Sequence, residues 1–138
     1  METATLRNFK VLLLGVIFDP KEKKILIGKR KKDPYTPKSS WVFPGGDANY
    51  EEDIDKTLKK HVKKQTGFDI KNHGSIFVKT YPQKGNLLAI YFFCEINKGN
   101  MKEGDLLTEL KWVKSNEIEE YFGCAFHTRL KEYIDSIK

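Results

Sequence analysis

The residues with the clearest chemical potential lie in one segment, residues 41–68, which reads WVFPGGDANYEEDIDKTLKKHVKKQTGF. His61, Lys64 and Gln65 follow an i, i+3, i+4 spacing, so on a helix their side chains share one face and can converge on one ligand. The imidazole could hold a metal, move a proton or donate to a phosphate. Magnesium prefers carboxylate oxygens in an octahedron, and a protonated lysine cannot ligate a cation. The three residues therefore form a poor magnesium site.

Two other residues have side chains that could bind a phosphate group or an aromatic ring. Arg30 is one of only three arginines among the 25 lysines and arginines, and it ends a predicted strand. The planar guanidinium group of arginine can bind a phosphate through two parallel hydrogen bonds, which the ammonium group of lysine cannot do. Arg30 could equally be a surface charge. Tyr35 lies in the polar loop that follows. It could stack on a base or be an ordinary half-exposed loop aromatic.

One amphipathic helix must position these side chains. Ile54, Leu58 and Val62 recur every four residues, which predicts that they lie on one buried side of a helix. Gly67 stands where a left-handed residue ends a helix. Acidic residues crowd the predicted start and lysines the predicted end, and both biases suit the helix dipole. The acidic residues are Glu51, Glu52, Asp53 and Asp55, and the lysines are Lys59, Lys60, Lys63 and Lys64.

Structural interpretations of the same residues remain open. His61 borders the apolar stripe and could be a half-buried packing residue. Lys64 could place a fixed positive charge in a site, or it could belong to a solvated stripe of lysines. The carboxylates near the glycine turn could build a metal site or be ordinary charges at a helix start; they are Asp47, Glu51, Glu52 and Asp53.

The remaining chain predicts a sheet around this helix. Strands are predicted over residues 9–18, 25–30, 41–43, 68–70, 75–81, 87–96 and 109–113. The near-continuous apolar character from Val11 onward suggests that the first strand is buried on both faces. Residues 82–86 are predicted to turn a hairpin, and residues 97–106 are predicted to form a loop. Short helices at residues 115–121 and 125–137 close the chain.

The segment resembles the Nudix box, the signature of hydrolases that cut nucleoside diphosphates linked to another group. That pattern is G-x5-E-x7-R-E-U-x-E-E-x-G-U, with U apolar. Gly46 and Glu52 take the first glycine and glutamate, and Gly67 and Phe68 close the pattern. The Trp-Val-Phe-Pro-Gly-Gly run also resembles the usual lead-in. The departures are Lys60 at the arginine position and His61, Lys64 and Gln65 at glutamate positions.

The resemblance implies an α/β fold, a Nudix-type α/β/α sandwich with a mixed β-sheet, in one domain over residues 1–138. In the family, glutamates at the places of His61, Lys64 and Gln65 hold divalent metal against the diphosphate. The metal site as the family builds it is therefore expected to be absent. Glu52 is the box glutamate that is retained, which makes it the candidate catalytic residue.

Three functions are compatible with this pattern, and whether the protein is an enzyme stays open. The first is a Nudix-fold protein that binds a nucleotide or nucleoside-diphosphate-linked compound with little or no hydrolysis and no confident cofactor. Its candidate binding residues are Arg30, Tyr35, Gly45, Gly46, His61, Lys64 and Gln65. The second is an active magnesium-dependent pyrophosphohydrolase with a rebuilt metal site, formed by Glu52 with Glu103, Asp105 or Glu109. The third is a module that binds RNA or a partner through the basic helix and Tyr35.

Composition limits these alternatives only weakly. The 138 residues suit one globular domain, and the net charge of +6 is compatible with anionic ligands or with simple solubility. Cys94 and Cys124 have no zinc or C-x-x-C spacing, and no signal peptide is evident, so we expect reduced thiols in a cytoplasmic protein. The longest apolar run, residues 11–18, is too short to cross a membrane. The oligomeric state stays open.

Overall fold

A mixed β-sheet forms the centre of the computed structural model, which describes residues 10–30, 41–81, 86–104, 106–122 and 128–137. The strands are β1 (Lys10–Asp19), β2 (Lys24–Arg30), β3 (Trp41–Val42), β4 (Gly45–Asp47), β5 (Phe68–Tyr81), β6 (Leu87–Gly99) and β7 (Leu107–Lys114). The helices are α1 (Ile54–Thr66), α2 (Ile118–Phe122) and α3 (Thr128–Ser136), and a 3₁₀ turn at Ser115–Glu117 precedes α2.

Strand β1 lies in the middle of the sheet. The described strands follow the order β3-β2-β1-β6-β5, with β4 paired to β1 and β7 paired to β2. β1 and β6 run parallel, from Lys10 opposite Leu87 to Phe18 opposite Glu95. The other described pairs are antiparallel. The prediction of a mixed sheet is confirmed.

Helices cover both faces of this sheet. Successive side chains of a strand point to opposite faces, so β1 contributes to two cores. The core under α1 includes Leu13, Ile17, Leu58 and Val62. The core under α2 and α3 includes Val16, Phe18, Ile118, Leu130 and Ile134. This arrangement is the predicted α/β/α sandwich. Among the described residues, none of the helices is long and apolar enough to cross a lipid bilayer.

Helix α1 is capped at both ends, and the cap at Gly67 was predicted from the sequence. The Asp53 carboxylate accepts a hydrogen bond from the Lys56 amide at 3.3 Å, which satisfies one of the free N–H groups at the helix start. Gly67 ends the helix at φ 84°, and its N–H donates to the Lys63 carbonyl at 2.9 Å. Together these caps fix the length of the helix that carries the candidate site residues.

The predicted apolar stripe of α1 is only partly correct. Leu58 and Val62 are fully buried, whereas Ile54 is 42% exposed. A four-residue step overshoots the 3.6-residue turn by about 40°. Two such steps separate Val62 from Ile54, which rotates Ile54 away from the sheet. The expectation that all three residues share the buried side is therefore wrong for Ile54.

The glycine turn continues into strand β4, which no sequence pattern indicated. Gly45 pairs with Leu14 and Gly46 pairs with Leu13, so β4 lies directly against β1. Gly45 has φ 152°, and a Cβ atom at this position would lie only 1.9 Å from the Leu13 carbonyl oxygen. Only glycine allows the two backbones to approach so closely.

Other boundaries differ from the prediction. The two predicted pieces at residues 68–70 and 75–81 are one continuous strand, β5, whose register shifts between Asp69 and Ile70 and again between Asn72 and Phe77. Bulges of this kind bend a strand without ending it. The predicted helix at residues 115–121 is a 3₁₀ turn followed by α2. Residues 9, 31–40, 82–85 and 125–127, on which other predictions fall, lie outside the described residues.

We expect Leu58→Ala to lower the free energy of unfolding by about 2–5 kcal/mol, because it removes a fully buried side chain and leaves a cavity. Ile54→Ala, on the same helix, is the matched control and should cost about 1 kcal/mol or less. Urea denaturation of both variants measures the difference. Equal losses would show that Ile54 is also packed against the sheet.

Candidate functional site

A cleft of about 420 Å³ opens where β4 and α1 meet the first residues of β1 and the last residue of β2. Several candidate residues from the sequence come together in its lining: Arg30, Gly45, Gly46, His61 and Gln65. The other lining residues are Lys10, Leu12, Leu14, Val42, Phe43, Asp47, Leu87, Leu106 and Leu107. The cleft is therefore lined by polar groups from the box segment, by the cationic side chains Lys10 and Arg30, and by apolar side chains.

Gln65 joins α1 to β4 through both ends of its carboxamide. The Gly45 N–H donates to Gln65 Oε1 at 2.9 Å, and Gln65 Nε2 donates to the Gly45 carbonyl oxygen at 2.7 Å. The side chain is only 4% exposed, so these bonds are made away from bulk water. A carboxamide can donate and accept at the same time, which a carboxylate cannot.

His61 contacts the same strand one turn earlier on the helix. Its Nε2 lies 2.8 Å from the Asp47 carbonyl oxygen. A carbonyl can only accept, so Nε2 carries the hydrogen, and a lone pair of the neutral ring would lie on Nδ1. The ring also packs against Gly46, where a Cβ atom would lie 2.8 Å from it. His61 and Gln65 together hold β4 along its whole length.

Glu52, the retained box glutamate, lies at the start of α1 and does not line the cleft. Its carboxylate forms an ion pair with Lys60 and accepts a hydrogen bond from Thr57 Oγ1 at 3.0 Å. The hydrogen bond from Lys60 is the largest cause that lowers the pKa of Glu52 below its usual value, and Thr57 adds to it while desolvation opposes it. The ionised carboxylate thus braces the first turns of the helix.

Lys64 does not line this cleft. Lys64 is exposed and lines a separate depression of about 530 Å³ together with Asn100 and Lys102. The Lys64 backbone lies against the loop there, since a Cβ atom at Gly104 would meet the Lys64 carbonyl oxygen at 1.9 Å. Tyr35 lies outside the described residues. Its predicted role stays a prediction.

The carboxylates considered for a rebuilt metal site are dispersed. Glu103 lines the depression beside Lys64, and Glu109 is an exposed residue of β7 paired with Lys29. Asp105 lies outside the described residues. Within the part of the chain that the structure describes, no group of three or more His, Cys, Asp or Glu side chains is placed to hold one metal ion with Glu52 or elsewhere.

The sequence did not predict the apolar side chains that form one wall of the cleft. Leu12 and Leu14 alternate along β1 and could have been assigned to one face, but the continuous apolar run hid this alternation. Leu106 adopts φ 65° and is 59% exposed at the rim. A leucine rarely takes a left-handed conformation, and nothing in the sequence signals it.

Comparison with known proteins assigns the chain to a family. The family model of the NUDIX domain matches residues 10–133. The chain belongs to the NUDIX family. It is 28% identical over 101 residues to an ADP-ribose pyrophosphatase of Methanocaldococcus jannaschii, an alignment that covers 71% of this chain. The same alignment covers only 59% of that relative, so the chain matches less than two thirds of its length.

Solved NUDIX structures share the fold at low sequence identity. A MutT protein from Methanosarcina mazei superposes with a TM-score of 0.76 at 19% identity, covering 92% of this chain and 93% of that one. An ADP-ribose pyrophosphatase from Streptococcus suis superposes with a TM-score of 0.65 at 18% identity, covering 91% and 88%. These likenesses establish the same arrangement of sheet and helices.

The side chains at the NUDIX metal positions do not fit a divalent cation. Lys64 offers an ammonium group, and His61 offers at most one ring nitrogen, Nδ1, because its Nε2 donates to a carbonyl. Gln65 Oε1 is an oxygen, but it already accepts from the Gly45 N–H, and the Nε2 of the same amide faces the Gly45 carbonyl. Magnesium requires several oxygen ligands in near-ideal geometry. The Gln65 amide is already paired with the Gly45 backbone without any ion.

Lys60→Met should raise the pKa of Glu52 toward its usual value, because the largest cause of its lowering is gone. A lowered folded-state pKa stabilises the fold above the unfolded-state pKa, and that contribution is lost as the pH falls through the folded-state pKa. The variant should therefore lose less stability on acidification than the wild type. NMR titration of the Glu52 carboxyl carbon measures the pKa directly.

The control for this titration is Lys59→Met, which removes the neighbouring lysine that pairs with Asp55 at 2.9 Å. It takes away the same charge from the same helix and leaves the Glu52 contacts intact. A Glu52 pKa that is unchanged in Lys60→Met, or equally changed in Lys59→Met, would contradict the assigned ion pair.

Proposed function

We propose that this NUDIX protein binds a nucleotide or a nucleoside-diphosphate-linked compound in the cleft between β4, α1 and β1, with little or no hydrolysis. The observation that carries the proposal is the hydrogen-bonding of His61 and Gln65 to the β4 backbone. These two positions furnish structural contacts where catalysis would need metal-binding carboxylates. Binding and hydrolysis are thereby separable in this chain.

The lining of the cleft suits such a ligand. Arg30 supplies a guanidinium at one end, and Lys10 adds a second cation, 3.9 Å from Asp47. Both side chains of that ion pair are mostly exposed, so a phosphate can compete for Lys10 at little cost. Leucines from β1 and from the segment at residues 106–107 provide apolar area for a base. Two of the similar proteins are ADP-ribose pyrophosphatases, so ADP-ribose is the first ligand to test.

Slow hydrolysis is expected because the side chains at positions 61, 64 and 65 are poor ligands for a metal ion. A metal ion neutralises a diphosphate and generates or places the attacking hydroxide. Loss of one electrostatic donor to the transition state already costs about 10²–10³ in rate in a well-studied hydrolase. At His61, Lys64 and Gln65 this chain carries no carboxylate, so the loss should be larger than for one donor.

The RNA-binding alternative is weakened by the ion pairs on α1. Lys59 pairs with Asp55, Lys60 pairs with Glu52, and Lys63 lies 3.4 Å from Asp69. Much of the positive charge on this helix is therefore balanced locally. Binding of RNA that falls steeply with added salt, without binding of nucleotide, would nevertheless favour that alternative.

Arg30→Ala should weaken ADP-ribose binding by roughly 10- to 100-fold, the range expected when a hydrogen-bonded charge partner of a phosphate is removed. Lys64→Ala removes one charge outside the cleft and should change the affinity by less than about threefold, the range of a screened surface charge. Isothermal titration calorimetry without metal measures both. An Arg30→Ala variant that binds like the wild type would remove the proposed phosphate contact.

A greater loss in Lys64→Ala than in Arg30→Ala would instead place the ligand in the depression beside Lys64. This outcome would restore the role that the sequence suggested for Lys64 and would locate the site on a different side of the C-terminal half of α1.

Turnover of ADP-ribose, dinucleoside polyphosphates and nucleoside triphosphates should stay near background at high protein concentration, with either magnesium or manganese. Phosphate release after coupled dephosphorylation is the measurement. Turnover on the order of 1 s⁻¹, as enzymes typically show, abolished by Glu52→Gln but not by Lys64→Ala, would establish the alternative of a magnesium-dependent hydrolase with a rebuilt site.

A further inference from the structure

We propose that the Gln65 carboxamide is a positioning residue that replaces a divalent cation as the link between α1 and β4, so that this cleft keeps its shape with no ion. The inference concerns the folded chain itself and does not rest on the proposed ligand. It also implies that a single amide-to-carboxylate change would make the fold dependent on a cation.

The first support is the polarity of the contact. Gly45 presents an N–H and a carbonyl oxygen to Gln65, and the carboxamide meets each with its complement, at 2.9 and 2.7 Å. A glutamate has nearly the same shape but offers only acceptors when ionised. One carboxylate oxygen could still accept a hydrogen bond from the Gly45 N–H. The second carboxylate oxygen would face the Gly45 carbonyl oxygen, and two acceptors in contact repel each other.

The second support is burial. Gln65 is 4% exposed, so an ionised carboxylate in its place could not recover its lost hydration from bulk water. Two oxygens that face each other in such a site are relieved by a positive charge between them, either a proton or a metal ion. In the native chain the Nε2 hydrogens occupy that position. The amide therefore does locally what a cation would otherwise have to do.

The third support is that β4 has little freedom to adjust. On its other side Gly45 lies so close to β1 that a Cβ atom would come within 1.9 Å of the Leu13 carbonyl oxygen. The His61 bond to the Asp47 carbonyl holds the end of the strand. Since β4 cannot move away, a mismatch at Gln65 must be met by a bound cation or by loss of stability.

The test is thermal unfolding of the full chain without nucleotide, in EDTA and in millimolar magnesium, manganese or calcium at matched ionic strength. Gln65→Glu should melt roughly 5–10 °C below the wild type in EDTA, the shift expected for an unmatched buried acceptor in a domain of this size. At least half of that loss should return with one of the cations. The melting temperature of the wild type should be the same in all buffers.

Two variants separate this proposal from general effects of charge. Gln65→Met keeps the length of the side chain and removes both hydrogen bonds, so it should be destabilised without any recovery by cations. Asn97→Asp makes the same amide-to-acid change at an exposed residue of β6 and should show neither effect.

The outcomes decide the proposal in either direction. Recovery confined to Gln65→Glu supports it, as does a Gln65→Glu protein that folds only when a cation is present. Three results for Gln65→Glu would overturn the proposal: stability equal to that of the wild type, an unfolded protein in every buffer, or a melting temperature that no cation raises. A wild-type protein that gains as much stability from cations would also overturn it. Because no nucleotide is present in this experiment, its results do not test the proposal that the cleft binds a nucleotide.

Discussion

The position of β4 is the constraint on which the candidate site depends. This three-residue strand lies between β1 on one side and α1 on the other, and both neighbours hydrogen-bond to its backbone. Glycine is required at position 45 because any Cβ would collide with the Leu13 carbonyl. With β4 fixed, His61 on α1 and the leucines of β1 are held at set positions relative to each other.

Electrostatics in this protein act mostly over short range. The net charge of +6 suggests a broad attraction for anions, but on α1 the lysines near acidic side chains are neutralised in pairs. Salt screens exposed charges beyond about 10 Å. The cleft itself is lined by two cationic side chains, Arg30 and the weakly held Lys10. Recognition of an anionic ligand would therefore depend on where these two cations lie and only slightly on the total charge.

Local periodicity predicted the helix of the Nudix box, a glycine predicted its C-terminal end at Gly67, and the resemblance to the Nudix family implied the sandwich. The prediction was wrong where the structure depends on contacts between backbones, or on the difference between a four-residue step and the 3.6-residue turn of a helix. Ile54 rotates away from the sheet, β4 forms from an apparent turn, and β5 continues through its bulges. The sequence brought Gln65 and His61 into the site as candidates. It could not show that both would be hydrogen-bonded to β4, since their partners are main-chain atoms that carry no sequence signal.

The parallel pairing of β1 with β6 has a consequence for how the protein folds. It joins residues 10–18 to residues 87–95, and the lining of the cleft extends from Lys10 to Leu107. Contacts between such distant parts of a chain carry the loop-closure entropy of everything between them, and they form slowly. No isolated segment of the nascent chain, including the complete box helix, can hold this cleft. The capacity to recognise a ligand arises only when the central sheet has closed.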